Sequence, residues 1–238
     1  MRRKGDYMGK VIILPETTKD PISLMGRRAG ICWGADISNE EKNYKRGLEC
    51  IENNHGRVTE FPDVHMFFDG YSAKCLREYY THIGCLPSRL QASTRYIDYS
   101  KGNGFSYTTP KTIYKNEQAN KEWESFMKTT NELISRFINE YKIPIEDATM
   151  ALPLAYSSKM VDKRNPRNLI DMSRQRMCSR AYWEFRELFN DIITALKNYS
   201  PEWATLIDLE FKPKCEYLGY CPEKYSCGRK PKKESMNA

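Results

Sequence analysis

The chain has 238 residues, of which 40% are hydrophobic and 29% charged, proportions that are ordinary for a globular protein of this length. Its 38 Lys and Arg residues outnumber 31 Asp and Glu residues, and the net charge of +7 favours an anionic partner such as a nucleotide or a phosphate-bearing cofactor. No apolar run is long enough to span a bilayer, and no apolar segment of the secretory type follows the basic N-terminus. The sequence therefore predicts a cytoplasmic protein without a membrane partner. It also lacks the basic repeats or zinc-finger spacing that would favour nucleic acid.

The first third of the chain predicts short elements of both kinds. A strand is expected over residues 11–14, a helix over 20–28, and a strand or turn over 29–36. Ser38 and Glu41 form a capping-box pattern for a helix that runs to about residue 54. A loop over 57–61 and a strand over 64–68 follow.

The stretch from 72 to 100 has the most chemistry. Ser72 is a candidate N-cap for a helix to residue 83 that Gly84 would close, and Pro87 separates it from a turn and a second short element. The Gln-Ala-Ser-Thr-Arg sequence at 91–95 offers an amide, two hydroxyls and a guanidinium, which are donors that suit a phosphate. A solvated polar loop remains the alternative.

The second half of the chain predicts a long helix over 116–141, a short helical turn over 145–151 and a strand over 155–161. Asn165 and Pro166 then begin a helix through 178, and helices over 180–199 and from Pro201 follow. Because helices and strands mix without a repeating βαβ order, the sequence predicts an α+β fold, with a mixed or antiparallel sheet flanked by long helices. It predicts one catalytic domain over 1–211 and a separate basic tail over 212–238.

The tail carries Cys215, Cys221 and Cys227 at equal spacing. A zinc site would need a fourth ligand, and no histidine follows His82, so structural or free thiols are favoured over a metal or intersubunit site. The other five cysteines are scattered and read as reduced thiols. No metal is predicted.

Three blocks of the sequence resemble the flavin-dependent thymidylate synthases. YTHIGCLPSRLQASTRYIDY, which contains Ser93-Thr94-Arg95-Tyr96, resembles their nucleotide- and flavin-binding signature. NPRNLIDMSRQRMCSRAYWEF, residues 165–185, resembles their C-terminal block, and HGRVTEFPDV, residues 55–64, resembles the segment before their central helix. The order and spacing agree over roughly residues 9–210.

The resemblance implies a homotetramer that holds FAD and converts dUMP to dTMP, with NADPH and methylenetetrahydrofolate as co-substrates and no protein nucleophile. Arg176 would lie beside the pyrimidine ring and stabilise its charge. The other implied dUMP-binding residues are Glu78, Gln91, Ala92, Ser93, Thr94 and Arg95. The implied FAD-binding residues are Thr59, His82, Arg89, Asn165, Arg167, Asp171 and Arg180, with Arg57 near the folate and NADPH.

Several of these roles have a structural alternative. Asn165 could be a plain N-cap and His82 a structural histidine. Arg176 and Arg180, four residues apart on one predicted helix, would share a face on which Glu184 could pair with an arginine.

The sequence also departs from the family pattern. Thr81 and Ile83 stand where the family has arginines beside the histidine, Thr149 stands where many members have an arginine, and Asp171 replaces an asparagine. Glu78 replaces a glutamine. These changes keep open a related flavin- and folate-dependent pyrimidine methyl- or hydroxymethyltransferase. The net charge keeps open a non-catalytic nucleotide- or nucleic-acid-binding protein.

Overall fold

This computed structural model describes residues 9–233 of the chain. This part contains four strands and ten α-helices, joined by turns and loops. The strands are β1 (Lys10–Ile13), β2 (Val64–Ser72), β3 (Ser88–Gln91) and β4 (Ser157–Arg164). The helices are α1 (Pro21–Cys32), α2 (Glu40–Glu52), α3 (Ala73–Tyr80), α4 (Lys111–Tyr114), α5 (Glu117–Asn139), α6 (Ile145–Ala148), α7 (Pro166–Arg176), α8 (Trp183–Tyr199), α9 (Pro201–Glu210) and α10 (Lys214–Leu218). Two 3-10 helices, Gly56–Glu60 and Thr149–Ala151, complete the described part.

The strands form one small antiparallel sheet in the order β1-β2-β4-β3. Strand β4 alternates between buried and exposed residues, which is the period-2 pattern of a strand with one covered face. Structural neighbours described below share this arrangement. The predicted α+β fold with a small sheet and flanking helices is confirmed.

Short polar residues fix the beginnings of several helices. The Asn165 side chain accepts a hydrogen bond from the Asn168 backbone N–H, and Asn116 does the same for Ala119. The Ser72 hydroxyl accepts from the Cys75 N–H at 3.1 Å, so the predicted N-cap of α3 is confirmed.

The predicted cap of α2 is wrong by one residue. Asn39, not Ser38, accepts the hydrogen bond from the Lys42 N–H at 2.9 Å. The Ser38 hydroxyl instead donates to the Asp36 carboxylate at 2.7 Å. Ser38 therefore belongs to the turn before the helix.

The strand or turn predicted over residues 29–36 is wrong for its first four residues, because α1 continues to Cys32, and the turn comes only at Trp33 and Gly34. Two glycines let α1 and α2 approach closely: a Cβ on Gly26 would lie 1.8 Å from the Asn43 carbonyl oxygen, and one on Gly47 would lie 2.1 Å from the Ile22 carbonyl oxygen. The contact with α2 extends the helix through a segment whose own composition does not favour it.

Helix α3 ends at Tyr80 rather than at the predicted residue 83. The Ile83 N–H donates to the Thr81 carbonyl in a tight turn, and the Cys85 and Leu86 backbones have positive φ angles of 58° and 51°. A hydrogen bond between residues only two apart cannot belong to an α-helix, whose bonds span four residues, so the helix has ended before residue 83.

The chain divides into two compact units. Within the described residues, the first comprises residues 9–10, Phe68–Tyr80 and Leu90–Val161, and the second comprises Val11–Phe67, Thr81–Arg89 and 162–233. The boundary predicted between residues 211 and 212 stays a prediction, and the outer ends of those predicted segments, 1–8 and 234–238, lie outside the described residues. Among the described residues, no helix has the length and apolar character needed to cross a bilayer.

The first unit has its apolar core around one face of α5. Met127 and Ile134 are fully buried there and pack with Phe105 and Tyr156. The Asn131 side chain on the same helix accepts the Phe105 backbone N–H at 2.8 Å. Tyr99, which follows residues 91–95 in the chain, packs against this core.

Candidate functional site

The Gln91–Arg95 turn, in the first unit, is tied to β4 by backbone and side-chain hydrogen bonds. The Ala92 N–H donates to the Lys159 carbonyl at 2.8 Å, and the Gln91 amide donates to the Ser158 hydroxyl at 3.3 Å. The Ser93 hydroxyl accepts the Arg95 N–H at 3.2 Å, which forms a short hydroxyl-stabilised turn. The five predicted nucleotide-binding residues are therefore held in one ordered turn.

Thr149 connects this turn to helix α6. Its side chain is buried, and its hydroxyl oxygen lies 2.8 Å from both the Thr94 and the Ile145 carbonyl oxygens. A buried hydroxyl needs such partners, whereas an arginine here would have to place its charge in the same small space. The departure at this position thus has a structural reason in this chain.

Arg95 extends from the turn into solvent. Its side chain is 65% exposed, and its Nε–H donates to the Glu146 carboxylate at 2.9 Å. An exposed ion pair of this kind contributes about 0–1 kcal/mol, so a phosphate can displace the carboxylate at small cost. The other predicted nucleotide contact of the first unit, Glu78, is half-buried on α3.

In the second unit, a buried polar network fixes the start of α7. Arg164 and Asp162 are both fully buried and form a bidentate ion pair with N–O distances of 2.6 and 2.7 Å. Arg164 also donates to the Asn168 side chain, whose amide in turn donates to the Gly84 carbonyl at 2.6 Å. The network connects the end of β4, helix α7 and the loop that carries His82.

Arg176, the last residue of α7, meets His82 on that loop. The Arg176 Nε–H donates to His82 Nε2 at 2.8 Å. Both groups pack on Phe185: the guanidinium carbon lies 4.5 Å from the centre of the Phe185 ring, and the His82 ring meets that ring edge-on at 5.5 Å. The guanidinium is thus held in direction by an imidazole and an aromatic face.

Burial, and after it the positive charges of Arg176, Arg164 and Arg89, together lower the pKa of His82 from 6.5 to about 4. The imidazole is consequently neutral near pH 7. A neutral ring that accepts at Nε2 carries its proton on Nδ1. This contact therefore orients Arg176 without cancelling its positive charge.

A pocket of about 190 Å³ lies against one face of α7. Arg167, Asp171 and Arg174 follow one another at helical spacing along this face, and Thr59 and Gly56 of the first 3-10 helix line the opposite side. A Cβ on Gly56 would lie 3.3 Å from the Arg167 guanidinium, so the glycine leaves room for that side chain. Arg167 currently pairs with Glu60 at 2.9 Å.

This pocket offers donors that a phosphate-bearing cofactor requires. The Arg174 Nε–H is buried and has no hydrogen-bond partner within residues 9–233. An orphaned charged donor is costly unless an acceptor completes it. Together with the N-terminal turn of α7 and the Arg167 guanidinium, it forms a donor set that fits the phosphate portion of a flavin dinucleotide.

A larger cleft of about 1030 Å³ continues past Asp171 and Arg174, residues that line both spaces. Arg176 and Arg180 line one side of it. The other side is the C-terminal wall, by which we mean the lining residues between Pro213 and Lys230. The predicted contacts Asp171, Arg176 and Arg180 are thus brought to one space within the second unit.

Arg180 is not on the helix that carries Arg176, so the prediction that they share a helical face is wrong. Helix α7 ends at Arg176, and a turn closed by the Ala181 N–H and the Cys178 carbonyl precedes α8. Arg180 instead donates to the Tyr225 carbonyl at 3.2 Å. Glu184 is fully buried and accepts from the Tyr182 hydroxyl at 2.9 Å.

Two further predicted residues lie apart from these pockets. Arg57 is an exposed member of the first 3-10 helix. Arg89 is half-buried at the second residue of β3. Neither lines the two spaces described above.

Sequence reasoning missed Arg174 and the cations of the C-terminal wall. Arg174 could have been found because it follows Arg167 by seven residues and Asp171 by three, the spacing of one helical face. The wall has no comparable signal, since its position depends on how residues 213–230 fold back on the end of α7.

The cysteines of the described chain are free thiols. Cys178, Cys215, Cys221 and Cys227 line the larger cleft. Cys227 is exposed, and hydrogen bonds from the Ser179 side chain and nearby backbone lower its pKa below the usual thiol value. Within residues 9–233, no cluster of three or more His, Cys, Asp or Glu side chains has the arrangement of a metal site.

Comparison with known proteins gives the family. Residues 14–202 match the profile of the family described as thymidylate synthase complementing protein. A flavin-dependent thymidylate synthase of Nitratidesulfovibrio vulgaris is 29% identical over 240 residues, which cover 92% of this chain and 94% of that protein. The chain belongs to the flavin-dependent thymidylate synthase family. The resemblance predicted from the three sequence blocks, and with it an enzyme of this family, is confirmed.

Other relatives agree with this placement. The flavin-dependent thymidylate synthase of Pyrococcus horikoshii is 32% identical over 176 residues, covering 71% of this chain and 69% of that protein. Among solved structures, thymidylate synthase X from Helicobacter pylori with FAD and dUMP has a TM-score of 0.63 at 17% identity, covering 84% of this chain and 99% of that one. The UMP/dUMP methylase PolB from Streptomyces cacaoi, bound with 5-Br dUMP, has a TM-score of 0.69 at 16% identity, covering 88% and 98%. These structures establish the fold.

Proposed function

We propose that this flavin-dependent thymidylate synthase family member methylates dUMP to dTMP reductively, using FAD, methylenetetrahydrofolate and NADPH. The observation that carries the proposal is the geometry of Arg176, whose guanidinium is oriented by neutral His82 and by Phe185. The family resemblance assigns this arginine to the pyrimidine ring. The names of the relatives and the dUMP bound in the Helicobacter pylori structure support the substrate.

The nucleotide phosphate and sugar are assigned to the Gln91–Arg95 turn. Ser93 and Thr94 offer hydroxyls, Gln91 an amide and Arg95 a guanidinium fork, while Ala92 keeps the backbone bonded to β4. Phosphate would replace the Glu146 carboxylate as the partner of Arg95. Glu78 is assigned to the hydroxyl-bearing part of the nucleotide, since a carboxylate accepts hydrogen bonds from hydroxyls and repels phosphate.

The flavin is assigned to the pocket on α7 and the adjoining part of the cleft. Arg167, the N-terminal turn capped by Asn165 and the buried Nε–H of Arg174 would hold its phosphates, and Thr59, Asp171 and Arg180 would border it. His82 and Arg89 complete the set that the family resemblance assigns to the cofactor. When bound, FAD supplies the redox and one-carbon transfer chemistry that amino-acid side chains lack.

The contribution of Arg176 is electrostatic. A guanidinium beside the pyrimidine carbonyl stabilises negative charge that develops on the ring, which makes C5 nucleophilic without a covalent enzyme intermediate. Because Arg176 is already oriented before substrate binds, little reorganisation is needed when that charge appears.

Three assignments remain: the extent of the catalytic domain, the folate site and the oligomeric state. We assign the catalytic function to residues 1–211, the folate vicinity to Arg57, and the assembly to a homotetramer. Size-exclusion chromatography with light scattering measures the last directly.

The test is a product assay. Purified protein should carry bound oxidised flavin and, with dUMP, methylenetetrahydrofolate and NADPH, should release dTMP that chromatography separates from hydroxymethyl-dUMP. Hydroxymethyl-dUMP as the main product would replace the proposal with the related hydroxymethyltransferase activity. Protein that binds nucleotide without flavin would contradict both enzyme assignments.

A further inference from the structure

The larger cleft is strongly cationic. Six Lys and Arg side chains line it against the carboxylates of Asp171 and Glu223, and half of the six come from the C-terminal wall: Lys214, Arg229 and Lys230. Its volume of about 1030 Å³ lies at the top of the range of roughly 300–1000 Å³ for ligand pockets. A concave surface with this excess of positive charge concentrates anions of dinucleotide size.

The C-terminal wall is fixed to the rest of the second unit by specific contacts. Arg229 donates to the Met177 carbonyl at 3.2 Å, just beyond the end of α7, and Lys230 pairs with Glu216 at 3.3 Å. The Cys221 N–H donates to the Pro231 carbonyl at 2.7 Å, which closes the segment between these two residues into a loop. A guanidinium has five N–H donors, so the bond of Arg229 to the Met177 carbonyl leaves donors for a ligand.

The wall also presents an aromatic face. The Tyr225 side chain is 64% exposed, and the Arg180 guanidinium and the Lys224 amino group each lie 5.5 Å from its ring centre. An exposed aromatic ring with cations close to it is suited to a ligand that carries both a ring and phosphates.

We propose that this cleft binds the nicotinamide dinucleotide phosphate that reduces the flavin, with Tyr225, Arg229 and Lys230 as its recognition residues. The inference rests on the proposed function, which requires such a reductant to reach the same space as the flavin. The family profile ends at residue 202, before the wall begins. A folate shares the chemistry of an aromatic ring with anionic groups, but the number of cations and the size of the cleft favour the more highly charged dinucleotide.

Isothermal titration with NADP+, which binds without reducing the flavin, tests the proposal on the full chain with its flavin bound. Arg229→Ala and Lys230→Ala are each expected to weaken NADP+ binding about tenfold or more, since each removes a charge-assisted contact with phosphate. Tyr225→Ala should weaken both NADP+ and NAD+. Lys128→Ala on α5, where the side chain is 80% exposed, makes the same change in net charge and should leave binding unaltered.

Titrations with NAD+ and with methylenetetrahydrofolate show which anionic ligand the cleft binds. NAD+ lacks the extra phosphate, so its binding should change less than threefold in the Arg229 and Lys230 variants. Unchanged NADP+ binding in both variants, or weaker binding of methylenetetrahydrofolate alone, would overturn the proposal. If Arg229→Ala lowers the melting temperature because its bond to Met177 is lost, Lys230→Ala carries the test.

Failure of this inference is distinct from failure of the proposed function. A wild-type protein that contains flavin and forms dTMP, but whose variants bind NADP+ normally, refutes only the cleft assignment. A wild-type protein without flavin or dTMP formation refutes the proposed function before any variant is compared.

Discussion

The two arginines assigned to the pyrimidine nucleotide, one in each compact unit, are held in opposite ways. Arg176 is half-buried at the end of α7, where the neutral His82 imidazole accepts its Nε–H and Phe185 lies against its guanidinium. Arg95 is mostly exposed and shares its charge with the Glu146 carboxylate. The contacts of Arg176 with His82 and Phe185 orient its guanidinium and leave its positive charge uncompensated by a carboxylate. The Glu146 carboxylate compensates the charge of Arg95 until a ligand replaces it.

This difference indicates two tasks. An arginine that stabilises charge appearing during a reaction must be oriented beforehand, because reorganisation at that moment costs free energy. An arginine that captures a phosphate can tolerate mobility and a replaceable partner, because the ligand itself completes the geometry. Substitutions at the two arginines and their partners test whether Arg176 acts on the reaction rate and Arg95 on substrate binding.

The buried support of Arg176 should matter most for stability. Asp162→Ala removes one partner of a fully buried ion pair and leaves Arg164 uncompensated, so we expect a loss of about 3–5 kcal/mol in the free energy of unfolding. Chemical denaturation measures this. Glu146→Ala breaks the exposed pair of the first unit and should cost no more than about 1 kcal/mol. Equal losses would contradict the comparison.

Substitution of Arg176 should have the largest effect on catalysis. Arg176→Ala is expected to lower kcat by about 10²–10³-fold, the range for removal of one oriented donor, while the flavin stays bound. Flavin absorbance of the purified variant and the rate of dTMP formation are the two measurements. Arg176→Lys keeps the charge but not the Nε donor to His82, and should recover part of the activity. A fully active Arg176→Ala variant would refute the role.

Substitution of Arg95 should act on substrate binding instead. Arg95→Ala removes a charge-assisted contact with the phosphate, so the KM for dUMP should rise about 10–100-fold with little change in kcat. Glu146→Gln, which releases Arg95 from its competing carboxylate, should leave the KM equal or slightly lower. A large fall in kcat for Arg95→Ala would show that the two arginines share one task.

The smallest effect concerns the pH dependence of stability. The folded pKa of His82, about 4, is below its ordinary 6.5, so the folded chain favours the neutral imidazole. Its stabilising contribution is complete above about pH 6.5 and declines as the pH falls toward about 4. His82→Gln keeps an acceptor without a titrating group, and should therefore lose less stability over that window. Denaturation midpoints at the two ends of the window provide the comparison.

Local sequence predicted those parts of this molecule that depend on local forces. Asn165 before Pro166 determines the start of α7, Ser72 begins α3, and the Ser93 hydroxyl forms a local turn with the Arg95 N–H. The three family blocks also identified the chain as a flavin-dependent thymidylate synthase family member, because their order and spacing along the chain match those of the family.

Only the tertiary structure decided what those residues meet. His82 and Arg176 are 94 residues apart in the sequence. The backbone turn after Tyr80 brings His82 within hydrogen-bond distance of Arg176. The break after Arg176 separates Arg180 from the helix and directs it to the C-terminal wall. Thr149 acquired its role through the carbonyl of Thr94, which no local pattern reports. Hydrogen bonds between distant segments depend on packing of the whole chain, and periodicity and capping describe only neighbours.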